Sequence, residues 1–530
     1  MPYYRDLREF LEVLEKSGKL LRVARPIVRE TELMPFYRLQ FRGLPEEERK
    51  AFLFEKVVGV DGVTFGGMMA CGVYGASQEI FALGMGCPPG EVRDRWLGAM
   101  RSPISPVMLR SAPVQEEIHL GGELEGVGLR AMMPPVEEPG FSGTLRTTTQ
   151  VVTKDPETGT RNVGQYSGHI HDRKSMAIGI GHTQHGFLHW QKNRERGKPL
   201  EAAVIIGATP NLTFAASSSL PYGVDEYAVA GALAGEPMEL VKCKTVNLEV
   251  PAAAEIVIEG KISPDFWGPV GAFGEYPGYM YQGAGDTVPL MEVTCITHRR
   301  QPIFTPMFVG LAPSDTTVVL QNLLEITYYK FLKFDCNIPG ILDVAFPEPA
   351  GVARYCVIQI KKSHPSQPWQ ALYCAAGYEA VTGKIIVVVD EDVNPRDPGA
   401  VIWALSYAMQ PHRDIQILTG KSPGLDPSGY PPGVPRKERS FPQPQGASAI
   451  LIDATRKWPY PPVGLPGKEY MERALAIWKE EKLPPLSLKE PWYGYPLGNW
   501  GAEDEELASL VVRGEFEEAG RKLAQKRVKI

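Results

Sequence analysis

Leu7, Phe10, Leu11 and Leu14 recur at i, i+3, i+4 and i+7 ahead of Gly18, a spacing that predicts an amphipathic helix closed by a glycine stop. An α/β unit is expected to follow it. From about residue 145 the period changes: TTTQVVTKD and TGTRNVGQYS read as two strands of a hairpin turning through Asp155-Pro156-Glu157-Thr158-Gly159. Between Ala202 and Phe304 the β-branched runs EAAVIIGATP, PAAAEIVIEGKI and LMEVTCITHRRQPIF alternate with glycine-rich turns, which predicts a β-rich barrel or sandwich. DTTVVLQNLLEITYYKFLKF, residues 315–334, is long and apolar enough for a buried helix linking two domains. Beyond it ARYCVIQIKK and GKIIVVVDED read as central strands of a second α/β domain, with DPGAVIWALSYAMQP as the helix after the second strand. Proline crowds SPGLDPSGYPPGVPRKERSFPQPQ and KWPYPPVGLP, so extended, irregular chain draped over a surface or partner is expected there. The last thirty residues, from EDEELASL onward, are charged and helical in period, as a solvated helix or an oligomer contact would be.

At 530 residues the chain exceeds one ordinary core, so two or three domains are expected. The mixed 43% apolar and 22% charged composition is that of a soluble globular protein, and no apolar run approaches the ~20 residues of a membrane span. MPYYRDLREF carries charges where a signal peptide would be apolar, which points to the cytoplasm. The seven cysteines are scattered without a CxxC pair, so free thiols rather than a disulfide framework or a structural zinc are expected. A net charge of −6 without a basic block argues against nucleic acid as a partner.

Candidate chemistry concentrates in one stretch. Five of the nine histidines, His169, His171, His182, His185 and His189, follow closely on Asn162, and Glu226 stands further on in YGVDEYAVAG. Amide oxygen, imidazole nitrogen and carboxylate oxygen suit a hard divalent cation such as Mg2+ or Mn2+ better than a thiolate-rich set would. His182, His185 and His189 at i, i+3 and i+7 could also share one helix face and hold zinc for a metal hydrolase. The alternative is that one of them binds metal while the others pack or face water. LTGKSPG contains a GKS tripeptide, but Ile415 stands where a phosphate-binding loop needs glycine, so a plain turn is expected. Asp390, Glu391 and Asp392 end an apolar strand, where solvated carboxylates are expected ahead of a second metal or ribose site.

Taken in order, Asn162, the Gln184-His185 pair, the SSSLP turn, the Glu226 segment, ELVKCKTVNLEVPAAAEIVIEG, GPVGAFGEYPGY and DATRKWP resemble the UbiD family of decarboxylases. The resemblance runs from about Asp6 to Pro459. It implies an α/β (α+β) fold: an N-terminal α/β region over 1–120, a flavin-reductase-like split β-barrel over 121–314, a linking helix over 315–334, a C-terminal α/β oligomerisation domain with the Pro-rich segment over 335–500, and the charged helix over 501–530. It also implies a prenylated FMN whose phosphate is held through Mn2+ or Mg2+, with K+ nearby. Matched block by block, the metal ligands would be Asn162, His185 and Glu226, and the cofactor neighbours Gly164, Gln165, Tyr166, Gln184, Ser217 and Ser218. In this family the flavin serves as the electron sink for loss of CO2, and a glutamic acid protonates the carbon left behind; the matching residue is Glu275. That acid needs a raised pKa, which desolvation can supply.

The chain departs from the family at three positions. Ser167 stands where an Arg is usual five residues after the metal Asn, and Val270 where a Glu is usual five before the acid. Ala449 replaces a Lys that some members carry near the DATRKWP block. Losing a guanidinium removes a bidentate carboxylate clamp, so one expectation is a larger aromatic acid aligned by a remote handle such as a coenzyme A thioester. Three functions compete: a prenyl-flavin decarboxylase or reversible carboxylase of an aromatic acid or its thioester; an auxiliary flavin-binding subunit of a carboxylase complex; and the histidine-based hydrolase. UbiD-like proteins are commonly dimers or trimers of dimers, so a homo-oligomer, dimer or hexamer, is expected, with room for a second subunit.

Overall fold

Alternation of β-branched residues over 146–298 produces six strands whose backbone donors and acceptors are all needed by neighbours, and they satisfy one another by closing on themselves. The computed structural model describes residues 3–132, 134–281, 286–430 and 446–529. In it the strands run in the order Ser175–Gly179, Arg161–Ile170, Arg146–Lys154, Leu200–Ile206, Ile256–Pro269 and Thr287–His298, each antiparallel to the next, and Ser175–Gly179 pairs back onto Thr287–His298. The barrel is thus closed. Gly260 marks a register shift in the longest pairing, where a Cβ would stand 2.3 Å from the Glu292 carbonyl, so only glycine lets the strands approach there. The expected hairpin forms, with Asp155 Oδ1 accepting from the Glu157 N–H at 2.8 Å in its turn.

The N-terminal helix, Leu7–Lys16, buries the four predicted residues and is capped by Asp6, which accepts from the Glu9 N–H at 2.9 Å. The sheet beside it orders Leu20–Val23, Ala51–Phe54, Met68–Cys71 and Ile303–Phe304. Its last strand comes from beyond the barrel, so the N-terminal region is finished by residues far along the chain. Glu117–Leu120 conversely joins the barrel sheet. Glu255, fully buried, ties the regions together: its carboxylate accepts from Arg8 Nε and Nη2 at 2.9 Å each, from Arg299 Nη1 at 3.4 Å, and from the Ile303 N–H at 3.0 Å.

The linking helix spans Asp315–Lys330, started by a Ser314–Thr317 capping box and run out through a wider π turn at Phe331–Asp335. It leads to a five-stranded sheet ordered Ile341–Ala345, Tyr355–Ile360, Ile385–Asp390, Ala447–Ala454 and Ile415–Lys421, whose three central strands are parallel. Gln367–Tyr378 and Pro398–Tyr407 are its helices. Of the first proline-rich run, 431–445 lie outside the described residues; before them Arg354 Nη2 donates to the Pro423 carbonyl at 2.8 Å, pinning the chain to this domain. The second run is extended as expected. The tail forms two helices rather than one, Ala502–Val512 and Phe516–Ala524, because Gly514 turns the chain at φ +83° between them. All seven cysteines are free, and among the described residues no helix is long and apolar enough to cross a membrane.

Removing the Glu255 carboxylate leaves the Arg8 guanidinium and a buried N–H without their anion and Arg299 with Asp6 alone. Glu255→Ala is expected to destabilise the protein by about 3 kcal/mol in urea unfolding. A change within about 0.5 kcal/mol, ordinary for a surface substitution, would show that the cluster ties nothing together.

Candidate functional site

Residues two apart on a strand share a face, so Asn162, Gly164 and Tyr166 point the same way from Arg161–Ile170. Gly164 makes this arrangement work. A Cβ there would meet the Tyr166 ring and hydroxyl at 2.5 Å, so the missing side chain lets Tyr166 lie back along its own strand. The Tyr166 hydroxyl then accepts from Asn162 Nδ2 at 3.2 Å and from the Gly186 N–H at 3.3 Å. Gly186 is the second residue of the helix His185–Glu195, so the hydroxyl holds the start of that helix, where the His185 ring lies edge-on to Tyr222 at 5.0 Å. A second tether brings in Glu226, the first residue of the helix Glu226–Ala234: its Oε2 accepts from the Val163 N–H at 2.9 Å. Arg161 Nη2 donates to Asp225 Oδ2 at 2.5 Å and fixes the same junction. Two hydrogen-bonded bridges therefore gather the three predicted metal ligands from one strand and two helix starts.

The electrostatics favour a cation. Glu226 is buried, and desolvation pushes its pKa up to about 8 although the Val163 N–H and its helix N-terminus oppose the rise. Among the described residues its carboxylate is paired with no ammonium or guanidinium, unlike buried Glu255 and Glu137. Burial lowers the His185 pKa, which leaves a neutral imidazole with a lone pair near pH 7. Since Asn162 spends its amide N–H on Tyr166, its carbonyl oxygen stays available as an acceptor.

The other predicted cofactor neighbours divide. Gly164 and Tyr166 lie with the ligand candidates. Gln165 faces the opposite side, held by Gln150 Nε2 at 3.0 Å and reaching Met307 Sδ at 3.2 Å. Gln184 folds onto its own turn, accepting from the Gly181 N–H at 2.5 Å. Ser217 and Ser218 turn their hydroxyls onto carbonyls of the preceding helix, those of Thr213 and Ala215, both at 2.7 Å.

The histidine cluster disperses. The helix begins only at His185, so His182 sits before it, against Phe187, and the expected shared face does not form. His189 is buried with Nδ1 2.9 Å from Thr153 Oγ1, and burial lowers its pKa to about 4. His171 Nε2 bonds the Pro269 carbonyl at 2.7 Å, and the His169 ring packs on Phe273. Among the described residues no three of His, Cys, Asp and Glu are grouped to hold an ion, which removes the histidine-only zinc site and the hydrolase built on it. Of the strand-end carboxylates, Glu391 is solvated as expected, in an exposed pair with Lys361 at 3.2 Å, whereas Asp390 is buried against Lys362 at 2.7 Å and Asp392 is half-buried on both outer nitrogens of Arg456 at 2.8 and 2.7 Å. Lys421 of the GKS tripeptide ends a strand instead of sitting in a turn, and its ammonium donates to the Ala376 and Glu379 carbonyls at 2.7 and 2.5 Å.

Glu275 follows the short strand Phe273–Gly274, with its N–H on the Tyr279 carbonyl at 3.2 Å and Oε2 accepting from the Tyr276 N–H at 3.3 Å. Glu138 Oε2 accepts from the Gly274 N–H at 3.1 Å and supports the segment. Beneath it lies a residue that sequence reasoning missed. Arg146 is buried, ion-paired with buried Glu137, 3.3 Å from the Gly274 carbonyl, and its guanidinium stacks 4.5 Å from the Phe273 ring. Nothing in the local sequence announces it, because it opens an ordinary β-branched run. Val270 packs with Ala177, Phe273 and Val288 in a small apolar cluster.

Comparison with known proteins places the fold in a family. Residues 107–312 match the family model described as the 3-octaprenyl-4-hydroxybenzoate carboxy-lyase Rift-related domain, and residues 318–454 match the C-terminal domain of the same carboxy-lyase. An uncharacterised protein of Aquifex aeolicus is 33% identical over 86% of this chain and 92% of its own length. Two solved structures superpose over nearly their whole lengths. The evolved dimeric form of the UbiD-class enzyme HmfF from Pelotomaculum thermopropionicum, in complex with prFMN, is 28% identical with a TM-score of 0.75, covering 89% of this chain and 100% of that one. The vanillic acid decarboxylase of Sedimentibacter hydroxybenzoicus in its closed form is 28% identical with a TM-score of 0.77, covering 91% and 100%.

The raised pKa of Glu226 has a signed consequence for the metal-free protein. A carboxyl held neutral in the fold contributes stability that is complete below its unfolded pKa of about 4.5 and is lost as pH rises through about 8. The wild type should therefore lose more thermal stability than Glu226→Gln between about pH 5 and about pH 9. Parallel melting profiles for the two proteins would mean that Glu226 ionises freely.

Proposed function

The chain belongs to the UbiD family of carboxy-lyases, and from that premise we propose that it is a prenylated-FMN-dependent, non-oxidative decarboxylase of an aromatic carboxylic acid, offered as the free acid or as a coenzyme A thioester. The observation that supports this reading is that hydrogen bonds through Tyr166 and the Val163 N–H tie the strand of Asn162 to the helix starts of His185 and Glu226, with a desolvated Glu226 carboxyl that no cation pairs with among the described residues. An amide oxygen, an imidazole and a carboxylate would hold Mn2+ or Mg2+ and leave positions open for phosphate oxygen and water, with K+ sharing the phosphate charge. When bound, the modified flavin supplies the electron sink that loss of CO2 requires.

The rest of the task falls to the chain. Tyr166 orients the Asn162 amide, and the helix that starts at His185 presents a neutral imidazole. Glu275 would deliver a proton to the substrate carbon after CO2 leaves and would recover it in the carboxylating direction, since a catalyst lowers one barrier for both. A homo-oligomer belongs to the same reading: Ile402, Trp403 and Tyr407 on the helix Pro398–Tyr407 are exposed apolar side chains of the kind a subunit contact covers.

Purified from cells able to prenylate flavin, the protein is expected to show a flavin absorbance band and bound Mn2+. Asn162→Ala should lower occupancy of both at unchanged far-ultraviolet circular dichroism. Glu275→Gln should keep the flavin but lose CO2 release from vanillate, 3,4-dihydroxybenzoate or their thioesters by about a hundredfold or more. Zinc without flavin, or release undiminished in Glu275→Gln, would refute the assignment.

A further inference from the structure

One buried cation on the barrel face retains unused donors. The Arg146 side chain is only 3% exposed, yet Nε and Nη1 have no hydrogen-bond partner among the described residues, while Nη2 serves Glu137 and the Gly274 carbonyl. A buried guanidinium in that condition is costly unless anions share its surroundings. Three carboxylates do. Burial acts to lower the Arg146 pKa, but Glu137, then Glu275 and Glu138, outweigh it and raise the pKa above the ordinary value. The segment leading to Glu275 also rests on the guanidinium directly, through the Phe273 ring at 4.5 Å and the Gly274 carbonyl at 3.3 Å.

Register places Arg146 on the side of the sheet where the family arginine is missing. Arg146 pairs with His169 across the hairpin, and Thr148 pairs with Ser167, so Arg146 and Ser167 belong to the same face one step apart. We propose that Arg146, anchored by Glu137, is the positioning residue for Glu275, supplying from the neighbouring strand the guanidinium and the carboxylate that Ser167 and Val270 do not provide. This rests on Glu275 being the proton donor. Other charged and titratable groups bear on the same segment. Glu138 supports Gly274 and is itself paired with Arg38 of the helix Leu33–Gly43. His169 stacks on Phe273, and Arg354 and Glu379 of the C-terminal domain act on Tyr276. Of these groups, Arg146 is the cation that touches the Phe273–Gly274 segment itself, through the Phe273 ring and the Gly274 carbonyl.

Infrared titration of the Glu275 carboxyl, identified as the band absent in Glu275→Gln, tests the coupling with or without flavin. Arg146→Gln removes the neighbouring positive charge and should raise the Glu275 pKa by about one unit or more. Arg146→Lys, which keeps the charge, should bring it back toward the wild-type value. Glu137→Gln leaves Arg146 with less compensation and should move it the opposite way, a readout that survives if Arg146→Gln does not fold. In flavin-loaded protein the alkaline limb of CO2 release should shift in parallel, upward in Arg146→Gln, because the donor must be protonated. A Glu275 titration unmoved by all three changes, or moved equally by Arg146→Gln and Arg146→Lys, would overturn the proposal. Absence of flavin would instead count against the decarboxylase reading and leave the titration intact as a test of the coupling.

Discussion

The Tyr166 hydroxyl is the junction on which the site depends. It lies where it does because residue 164 has no side chain, and from there it accepts from the Asn162 amide and from the Gly186 N–H that starts the neighbouring helix. Strand and helix are thus held at one hydrogen-bonding centre, and the Val163 N–H adds Glu226 to it. None of the three ligand candidates is close to both others along the chain. The closed barrel brings their elements together, and one phenol with one backbone N–H fixes how far apart they stand.

The burial of Glu226 gives this arrangement its chemical direction. A carboxylate pushed to a pKa of about 8 by desolvation is poorly matched to an empty protein interior and well matched to a divalent ion. The other buried acids described here meet their charge internally: Glu255 has Arg8 and Arg299, and Glu137 has Arg146. Arg146 also changes how the missing family arginine is read. The expectation of a thioester handle came from the guanidinium lost at Ser167, and a buried one stands one register step from Ser167.

Much of the fold was legible in the sequence because its signals are local. The Leu7–Leu14 helix, the hairpin through Asp155, the linking helix and the valine-rich strands each carry their own periodicity. The gathering of Asn162, His185 and Glu226 was legible only through resemblance to a family, since no spacing rule joins a strand residue to two helix starts. What escaped depends on distant pairings. Ser175–Gly179 closing onto Thr287–His298, Ile303–Phe304 completing the N-terminal sheet, and Arg146 meeting Phe273 and Gly274 are contacts between segments that share no pattern. The histidine cluster misled for the opposite reason: its helical spacing was real, but the helix starts at His185 and leaves His182 in the turn before it.

The Ile303–Phe304 strand and the Glu255 cluster together set an order of assembly. An emerging N-terminal region has its helix and three strands but neither its fourth strand nor the acid that neutralises Arg8, so it presents an open sheet edge until the barrel has been synthesised. During translation the first hundred or so residues are therefore a client awaiting a distant partner rather than a module that can settle alone.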